Sequence, residues 1–355
     1  MVILDRYLAK QVIFSILMVS IALLGFDLFF SLVHELKVVG RSQYTLTAAL
    51  SYLLLTIPSR MYAMFPWSAL IGTLISLGAL ANHSELVVMR TASFSVGRIT
   101  WGVVKAALLL LIVVVLVGEG IAPITERIAQ SKRTWALSGG QTIQTPYGIW
   151  VRQGKEFIHI QSVRTDGELI GVTCYQFDHQ RHLKKAFFAE SANQNNGQWQ
   201  LNGVVGTEFS AEKTLPFHKE TMHLAQVLEP DILEAAMVRH PERLSLPILW
   251  RTIQHRTKNE LNTQSYEGAF WVKICQPIVI IMMVFIAVPF VFGPLRSVSM
   301  GFRVVAGILV SFVFHTLNTF LTPLAIVYQL PPILAVLLPI FLFTSIGFIL
   351  LKRAR

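Results

Sequence analysis

Six long apolar segments dominate the chain, and a polar stretch of different character separates the first three from the last three. A helix of about 20 apolar residues is long enough to cross the hydrocarbon core of a bilayer. The pattern therefore predicts six transmembrane helices in two groups of three, on either side of an insert from about Pro123 to Glu267. The predicted spans are Gln11–Val33, Pro58–Ala81, Ile99–Ile121, which Pro123 ends, Ala269–Phe292, Gly301–Tyr328 and Ile333–Leu351.

The insert shows short runs in which apolar and polar residues alternate, most clearly in Phe157–Ile160, and turn residues separate these runs. Such alternation is typical of half-buried strands, and no apolar stripe of helical length interrupts it. We therefore predict an all-β, jellyroll-like or open-sandwich domain rather than an α/β domain, followed by a short amphipathic helix that includes Leu246 and Arg256. The predicted strands are Tyr147–Gln153, Glu156–Val163, Ile170–Phe177, Leu183–Ala189, Trp199–Val205 and Thr221–Gln226.

The predicted domain organisation has three parts. Residues 1–122 form the first transmembrane half, with a polar loop near residues 84–92. Residues 123–267 form the β domain with its amphipathic linker helix, and residues 268–355 form the second transmembrane half.

Composition and charge agree with a membrane protein and indicate its orientation. The mean hydropathy is +0.56 and only 14% of residues are charged, which excludes an ordinary soluble enzyme. The insert carries 16 Lys and Arg against 15 Asp and Glu, whereas the rest of the chain carries 14 against 5. Because basic residues concentrate in cytoplasmic loops, their distribution predicts that both termini are cytoplasmic and that the insert is periplasmic in a Gram-negative host.

No motif for catalysis or for a cofactor is visible. The sequence lacks a phosphate-binding loop, a nucleophile elbow and a zinc-protease motif. Cys174 and Cys275 fall in different predicted compartments, so neither a disulfide nor a metal site is expected. We predict a protein that is not an enzyme and that has no catalytic residue, metal or cofactor of its own. The energy for any transport must then come from a partner or from an ion gradient.

The cytoplasmic loop is the first candidate site. Ser84 is placed to cap a short helix, Glu85 lies at its positive end, and Leu86, Val87 and Met89 give it an apolar side. A charged residue beside exposed aliphatic side chains suits a docking surface for a cytoplasmic partner. An ordinary connector explains the same residues equally well.

A second candidate site lies at the outer end of the first span. His34, Lys37 and Arg41, with Arg60 of the second span, form a basic cluster that could hold a phosphate-bearing lipid headgroup. Snorkelling anchors are the commoner explanation of any single basic residue there. Polar residues also lie within the spans, where hydrogen bonds between helices are a more frequent role than an ion relay. These residues are Asp27, Glu119, Lys273, His315 and Asn318.

The sequence resembles the LptF/LptG family of permeases over essentially its whole length. The matching stretches are Leu4–Tyr7, Ser84–Met89, Phe292–Val298, Met300–Gly301 and Arg303–Val305. Of these, Ser84–Met89 and Phe292–Ser297 are specific to the family. The resemblance implies one transmembrane subunit of an ATP-binding-cassette exporter in the bacterial inner membrane. Such an exporter extracts lipopolysaccharide and passes it to a periplasmic bridge. It further implies a heterodimer with LptF, a dimer of the ATPase LptB that binds ATP and Mg²⁺, and LptC as the next carrier.

Roles for individual residues follow from the resemblance. The loop with Ser84, Glu85, Leu86, Met89 and Arg90 would be the coupling helix that fits a groove of LptB. The first span would form a lateral gate, with Phe26, Phe30 and Val33 as gate residues. The basic residues His34, Lys37, Arg41 and Arg60 would meet lipopolysaccharide phosphates, although Ser31 and Val38 stand where further lysines are expected.

Two alternatives stay open at this point. An LptF-like paralogue in the same complex would share most of these features. An ion-driven secondary transporter would need broken helices around a midplane site, for which only Pro289 and Gly293 are candidates. A membrane-tethered sensor is a third class, but it rarely needs six spans.

Overall fold

The structure of the chain is a computed structural model. It describes residues 2–353 except 93, 139–142, 165–166, 196–197, 211, 225–229, 238–240 and 293–297. The chain divides into two compact units. The membrane unit contains residues 1–34, 53–126 and 267–355, and the β unit contains residues 35–52 and 127–266. Most of the Phe292–Val298 motif lies outside the described residues.

Ten α-helices occur in the part of the chain that the structure describes. They are α1 (Val2–Leu36), α2 (Leu46–Asn82), α3 (Glu85–Thr91), α4 (Val96–Leu116), α5 (Ala122–Leu137), α6 (Pro230–Met237), α7 (Leu246–Lys258), α8 (Gln264–Phe292), α9 (Met300–Val327) and α10 (Pro332–Arg353). A π-helical turn, Val117–Ile121, joins α4 to α5, so that Val96–Leu137 is one long helical segment. Among the described residues, six segments are long and apolar enough to cross a membrane, which confirms the predicted six spans.

The first helix begins at Val2, before the predicted start at Gln11. Two further predicted helix ends are wrong, and both of these involve proline. The second helix begins at Leu46, and Pro58 lies inside it, where the hydroxyls of Thr56 and Ser59 donate to nearby backbone carbonyls. Hydroxyl groups of this kind help membrane helices to accommodate a proline. The third helix does not end at Pro123 but continues through α5. The π-helical turn just before Pro123 changes the local hydrogen-bond pattern, so the missing proline N–H does not break the segment.

In the described part of the β unit, six antiparallel strands form one sheet, in the order of the chain. They are β1 (Ile143–Gln153), β2 (Glu156–Val163), β3 (Leu169–Phe177), β4 (Leu183–Asn195), β5 (Gln198–Phe209) and β6 (Thr214–His223). The inserted all-β domain is therefore confirmed. The last predicted strand was placed too late, because its centre lies near Lys219, and residues 225–226 lie outside the described part. The predicted linker helix corresponds to α7.

A line of glycines with positive φ crosses this sheet and folds it. Gly148, Gly171 and Gly203 have φ values of 68°, 65° and 62°, and they lie on β1, β3 and β5. Gln161 of β2 lies against Gly171, and Glu190 of β4 lies against Gly203. A Cβ added at Gly171 would be 2.5 Å from the Gln161 Oε1 atom. Glycine tolerates this left-handed backbone, which lets the sheet bend sharply.

The fold of the sheet lets residues on both sides of the glycine line contribute to one interior. Leu169 and Val172, three positions apart, both point into the core of the β unit, and so do Leu201 and Val204. A flat strand would place residues three apart on opposite faces. Ile232 and Leu233 of α6 close this core.

Candidate functional site

The predicted docking loop forms the short helix α3. Ser84 occupies the position before its first residue, but it has a left-handed backbone with φ 61° and its side chain makes no capping hydrogen bond. The predicted side-chain cap is therefore wrong. The backbone carbonyl of Ser84 instead accepts hydrogen bonds from the amides of Val87 and Val88, at 3.1 Å each.

The two sides of α3 have different roles in packing. Leu86 and Met89 are buried in the main hydrophobic cluster of the membrane unit. Val87, Val88 and Arg90 are exposed, and Glu85 is partly exposed. The buried pair thus fixes the helix to the membrane unit, while the valines and the two charged residues are available to a partner.

A hydrogen bond connects α3 to the first helix. The Tyr7 hydroxyl of α1 donates to the Glu85 Oε2 atom at 3.0 Å. The contact joins residues 78 positions apart in the sequence. A carboxylate can accept further donors beside this one. Tyr7 and Glu85 both lie in stretches that the sequence singled out, but their spacing gave no sign that they meet.

The predicted gate residues lie on the C-terminal half of α1 and are exposed. Phe26 and Phe30 expose 66% and 68% of their surface, and Val33 exposes 43%. Exposed aromatic side chains of this size are expected to contact lipid or another subunit. All three residues thus lie on a surface that other parts of this chain do not cover.

The predicted basic cluster is only partly available for an anion. His34, Lys37 and Arg41 are exposed, at the end of α1 and in the turns that follow it. Arg60 is different, because its guanidinium forms an ion pair with the Asp27 carboxylate and also donates to the Ser31 and Thr56 hydroxyls. The charge of Arg60 is therefore already neutralised within the membrane unit.

A buried ionic group in the β unit was not predicted. The Glu35 carboxylate accepts hydrogen bonds from the Tyr44 hydroxyl at 2.8 Å and from the Arg133 Nε atom at 3.1 Å. Burial, together with the hydrogen bond to Glu35, raises the pKa of Tyr44 to about 12. Arg133 also lies 5.3 Å from the centre of the Tyr52 ring. This group holds in place the exposed turn that carries Lys37 and Arg41. It could not be predicted from the sequence, because Glu35 and Arg133 are 98 residues apart.

Two further polar groups lie inside the membrane unit. The Lys273 Nζ atom is 3.2 Å from the Glu119 Oε1 atom, and Glu119 lies in the π-helical turn. Arg303 is fully buried and donates to the Gly78 carbonyl at 2.8 Å and to the Asn82 side-chain oxygen at 3.1 Å. Its position at the start of a span concealed this structural role.

Comparison with known proteins connects these features to one family. Residues 6–353 match the family described as "Lipopolysaccharide export system permease LptF/LptG". The chain is 34% identical over 354 residues to the lipopolysaccharide export system permease protein LptG of Escherichia coli K12, and the match covers 99% of this chain and 98% of the relative. It is 35% identical over 358 residues to the protein of the same name from Haemophilus influenzae, with 99% of each chain covered.

Proposed function

Because this chain belongs to the LptF/LptG family of lipopolysaccharide export system permeases, we propose that it forms one half of the membrane path by which an ATP-driven exporter removes lipopolysaccharide from the inner membrane. The observation that carries this proposal is the match to LptG proteins over 99% of the chain. The predicted family resemblance is thereby confirmed. The ion-driven alternative is not favoured, and neither is an LptF-like paralogue, since these relatives are all LptG proteins.

The energy source in this proposal is a separate ATPase. The chain carries no phosphate-binding loop, and its family consists of permeases. A dimer of LptB would bind ATP and Mg²⁺, LptF would form the other half of the path, and LptC would receive the lipid. In this arrangement both termini and α3 are cytoplasmic, while the β unit is periplasmic.

The proposed coupling surface is the exposed side of α3. Glu85 and Arg90 supply charges of opposite sign, and Val87 and Val88 supply apolar contact area. Leu86 and Met89 transmit the motion of this helix to the membrane unit, because they are buried within it. Ser84 sets the entry angle of the helix through its left-handed backbone.

The proposed substrate contacts lie at the outer end of α1. His34, Lys37 and Arg41 are exposed donors that suit the phosphates of an anionic glycolipid. Phe26, Phe30 and Val33 would form the apolar edge along which acyl chains pass. In the sequence the basic residues follow directly after the apolar ones, an order that suits an amphipathic substrate.

Co-purification tests the coupling role. We would express the chain with the LptB and LptF candidates of its genome and purify the complex through a tag on this chain. Glu85→Ala should weaken retention of the ATPase by about tenfold, because truncating one member of a charged contact leaves the other unpaired. Glu212→Ala removes an exposed carboxylate of the β unit and serves as the matched control. Equal retention by both variants would contradict the role of Glu85.

A further inference from the structure

The two halves of α1 are packed very differently. Leu8, Val12 and Ile16 of the inner half are 3%, 0% and 0% exposed, and all three belong to the main hydrophobic cluster. At Gly72 of α2, an added Cβ would lie only 2.5 Å from the Ile16 Cα atom. The backbones of α1 and α2 therefore touch in this half, and the packing leaves no room for movement.

The outer half of α1 lacks such packing. No residue from Ile21 to His34, a range that the structure describes completely, is fully buried. None of these residues belongs to the main hydrophobic cluster or packs against it. Only 22% of the most apolar window of this span is buried, compared with 72% for α2. Apolar packing within this chain therefore holds the outer half only weakly.

The boundary between the halves carries a feature that weakens a helix. The Ser20 hydroxyl donates to the Ile16 carbonyl at 2.8 Å. A hydroxyl that bonds the carbonyl one turn earlier competes with the backbone ladder and favours bending there. Ser20 is also the last buried residue of α1 within the membrane unit. The helix is thus suited to pivot near this residue.

Arg60 of α2 holds the outer half by polar contacts. Its guanidinium donates to the Asp27 carboxylate and to the Ser31 hydroxyl, and its Nε atom donates to the Thr56 hydroxyl at 2.9 Å. Asp27 and Ser31 are four positions apart, so both lie on the face of α1 that meets α2. The Arg60 and Asp27 side chains are only 21% and 27% exposed.

A pair of charges within an apolar segment resists separation, but another polar partner can take the place of either charge. Either charge alone is costly in hydrocarbon, so the two helices stay together while no other partner is present. Water or an anion that enters between the helices can replace one member of the pair. The contact is therefore strong in a closed arrangement and can be broken when the space opens.

We propose that the Asp27–Arg60 pair is a releasable latch that holds the outer half of α1 against α2. The inference rests on the proposed function in one respect, since it takes α1 as the helix that opens to admit the lipid. It assigns Arg60 a positioning role, and it makes Asp27 the residue that sets how often α1 opens. The pivot lies near Ser20.

Spin labels test the latch without reference to transport. Cysteines placed at Phe29 and Leu54, which are 60% and 66% exposed, would carry the labels in the assembled complex in lipid nanodiscs. The native Cys174 and Cys275 are buried. Asp27→Asn should raise the population with separated labels about tenfold, which corresponds to about 1.4 kcal/mol. Asp27→Arg should raise it at least as much.

The exchanged pair distinguishes a latch from a general loss of packing. Asp27→Arg combined with Arg60→Asp restores opposite charges and should return the separated population to within about threefold of the parent. Asp5→Asn makes the same carboxylate-to-amide change at the inner end of α1 and should leave the distances unchanged. Unchanged distances in Asp27→Asn, or no recovery in the exchanged pair, would overturn the latch.

Lipid transfer by the same variants separates the latch from the proposed function. If the variants alter both the label distances and lipid transfer, the results support the latch and the proposed function. Altered distances with unchanged transfer support the latch and refute α1 as the gate helix. Altered transfer with unchanged distances refutes the latch and leaves the proposed function intact.

Discussion

The Lys273–Glu119 pair offers a quantitative test of how charges stabilise the membrane unit. Lys273 of α8 and Glu119 of the π-helical turn are 3.2 Å apart, and their side chains are 8% and 18% exposed. Tyr62 of α2 also hydrogen-bonds Glu119, and its backbone carbonyl accepts from the Gln276 side chain at 2.9 Å. These contacts connect helices from both transmembrane halves.

The expected cost of breaking this pair follows from its burial. Lys273→Met leaves the Glu119 carboxylate charged and without its cation, and the loss of one member of a buried pair costs about 3–5 kcal/mol. Near the lower end of that range, the melting temperature falls by roughly 6–12 °C. Lys273→Met combined with Glu119→Gln removes both charges and keeps an acceptor for Tyr62, so we expect it to cost less than about 1 kcal/mol.

The assay is thermal denaturation of the purified complex in detergent, followed by size-exclusion chromatography of the remaining folded fraction. The single variants Lys273→Met and Glu119→Gln should each melt well below the parent. The double variant should melt close to the parent. The pair does not stabilise the protein in this way if both single variants melt within about 2 °C of the parent. The same conclusion follows if the melting temperature of the double variant falls by the sum of the decreases in the two single variants.

Three further predictions concern the β unit. Burial raises the pKa of the Cys174 thiol to about 12, so we expect alkylation at pH 8 to be slow in the native protein and fast in urea, and equal rates would contradict the buried position. Gly171→Ala should destabilise the unit by about 1–2 kcal/mol, because alanine is strained at a φ of +65°, and an unchanged urea midpoint for Cys174 labelling would contradict this. Burial raises the pKa of Glu156, so the folded state binds its proton more tightly than the unfolded state, and stability should fall as the pH rises above 4.5 through the raised pKa. Glu156→Gln should flatten this dependence in the same labelling assay, and an unaltered pH profile would count against it.

Apolar run length and strand alternation were sufficient to predict the main elements of the fold. Span length is set by bilayer thickness, so the number of spans follows directly from the sequence. Proline was the main source of error, because Pro58 lies inside α2 and Pro123 lies within one continuous helical segment. Hydroxyls beside Pro58 bond nearby backbone carbonyls, and a π-helical turn precedes Pro123. Membrane helices tolerate proline where local adjustments of this kind are available.

The candidate site was predicted less completely, for a different reason. Ionisable residues such as Asp27 and Glu119 were identified within spans, but their partners lie 33 and 154 positions away. Such distances depend on which helices pack together, and no local spacing encodes them. The same limit applies to α3, because a helix of seven residues is too short for its pattern to show that Leu86 is buried and Val88 is exposed.

Reconstituted lipid transfer tests the central claim most directly. The chain would be purified with its candidate LptB and LptF subunits and placed in vesicles that contain lipopolysaccharide, with the soluble part of the LptC candidate outside as the acceptor. The account predicts that lipopolysaccharide moves to the acceptor only when ATP is supplied and all three proteins are present. Transfer without the ATPase or ATP, or no transfer by an intact complex that hydrolyses ATP, would contradict the assignment of this chain as a lipopolysaccharide export permease.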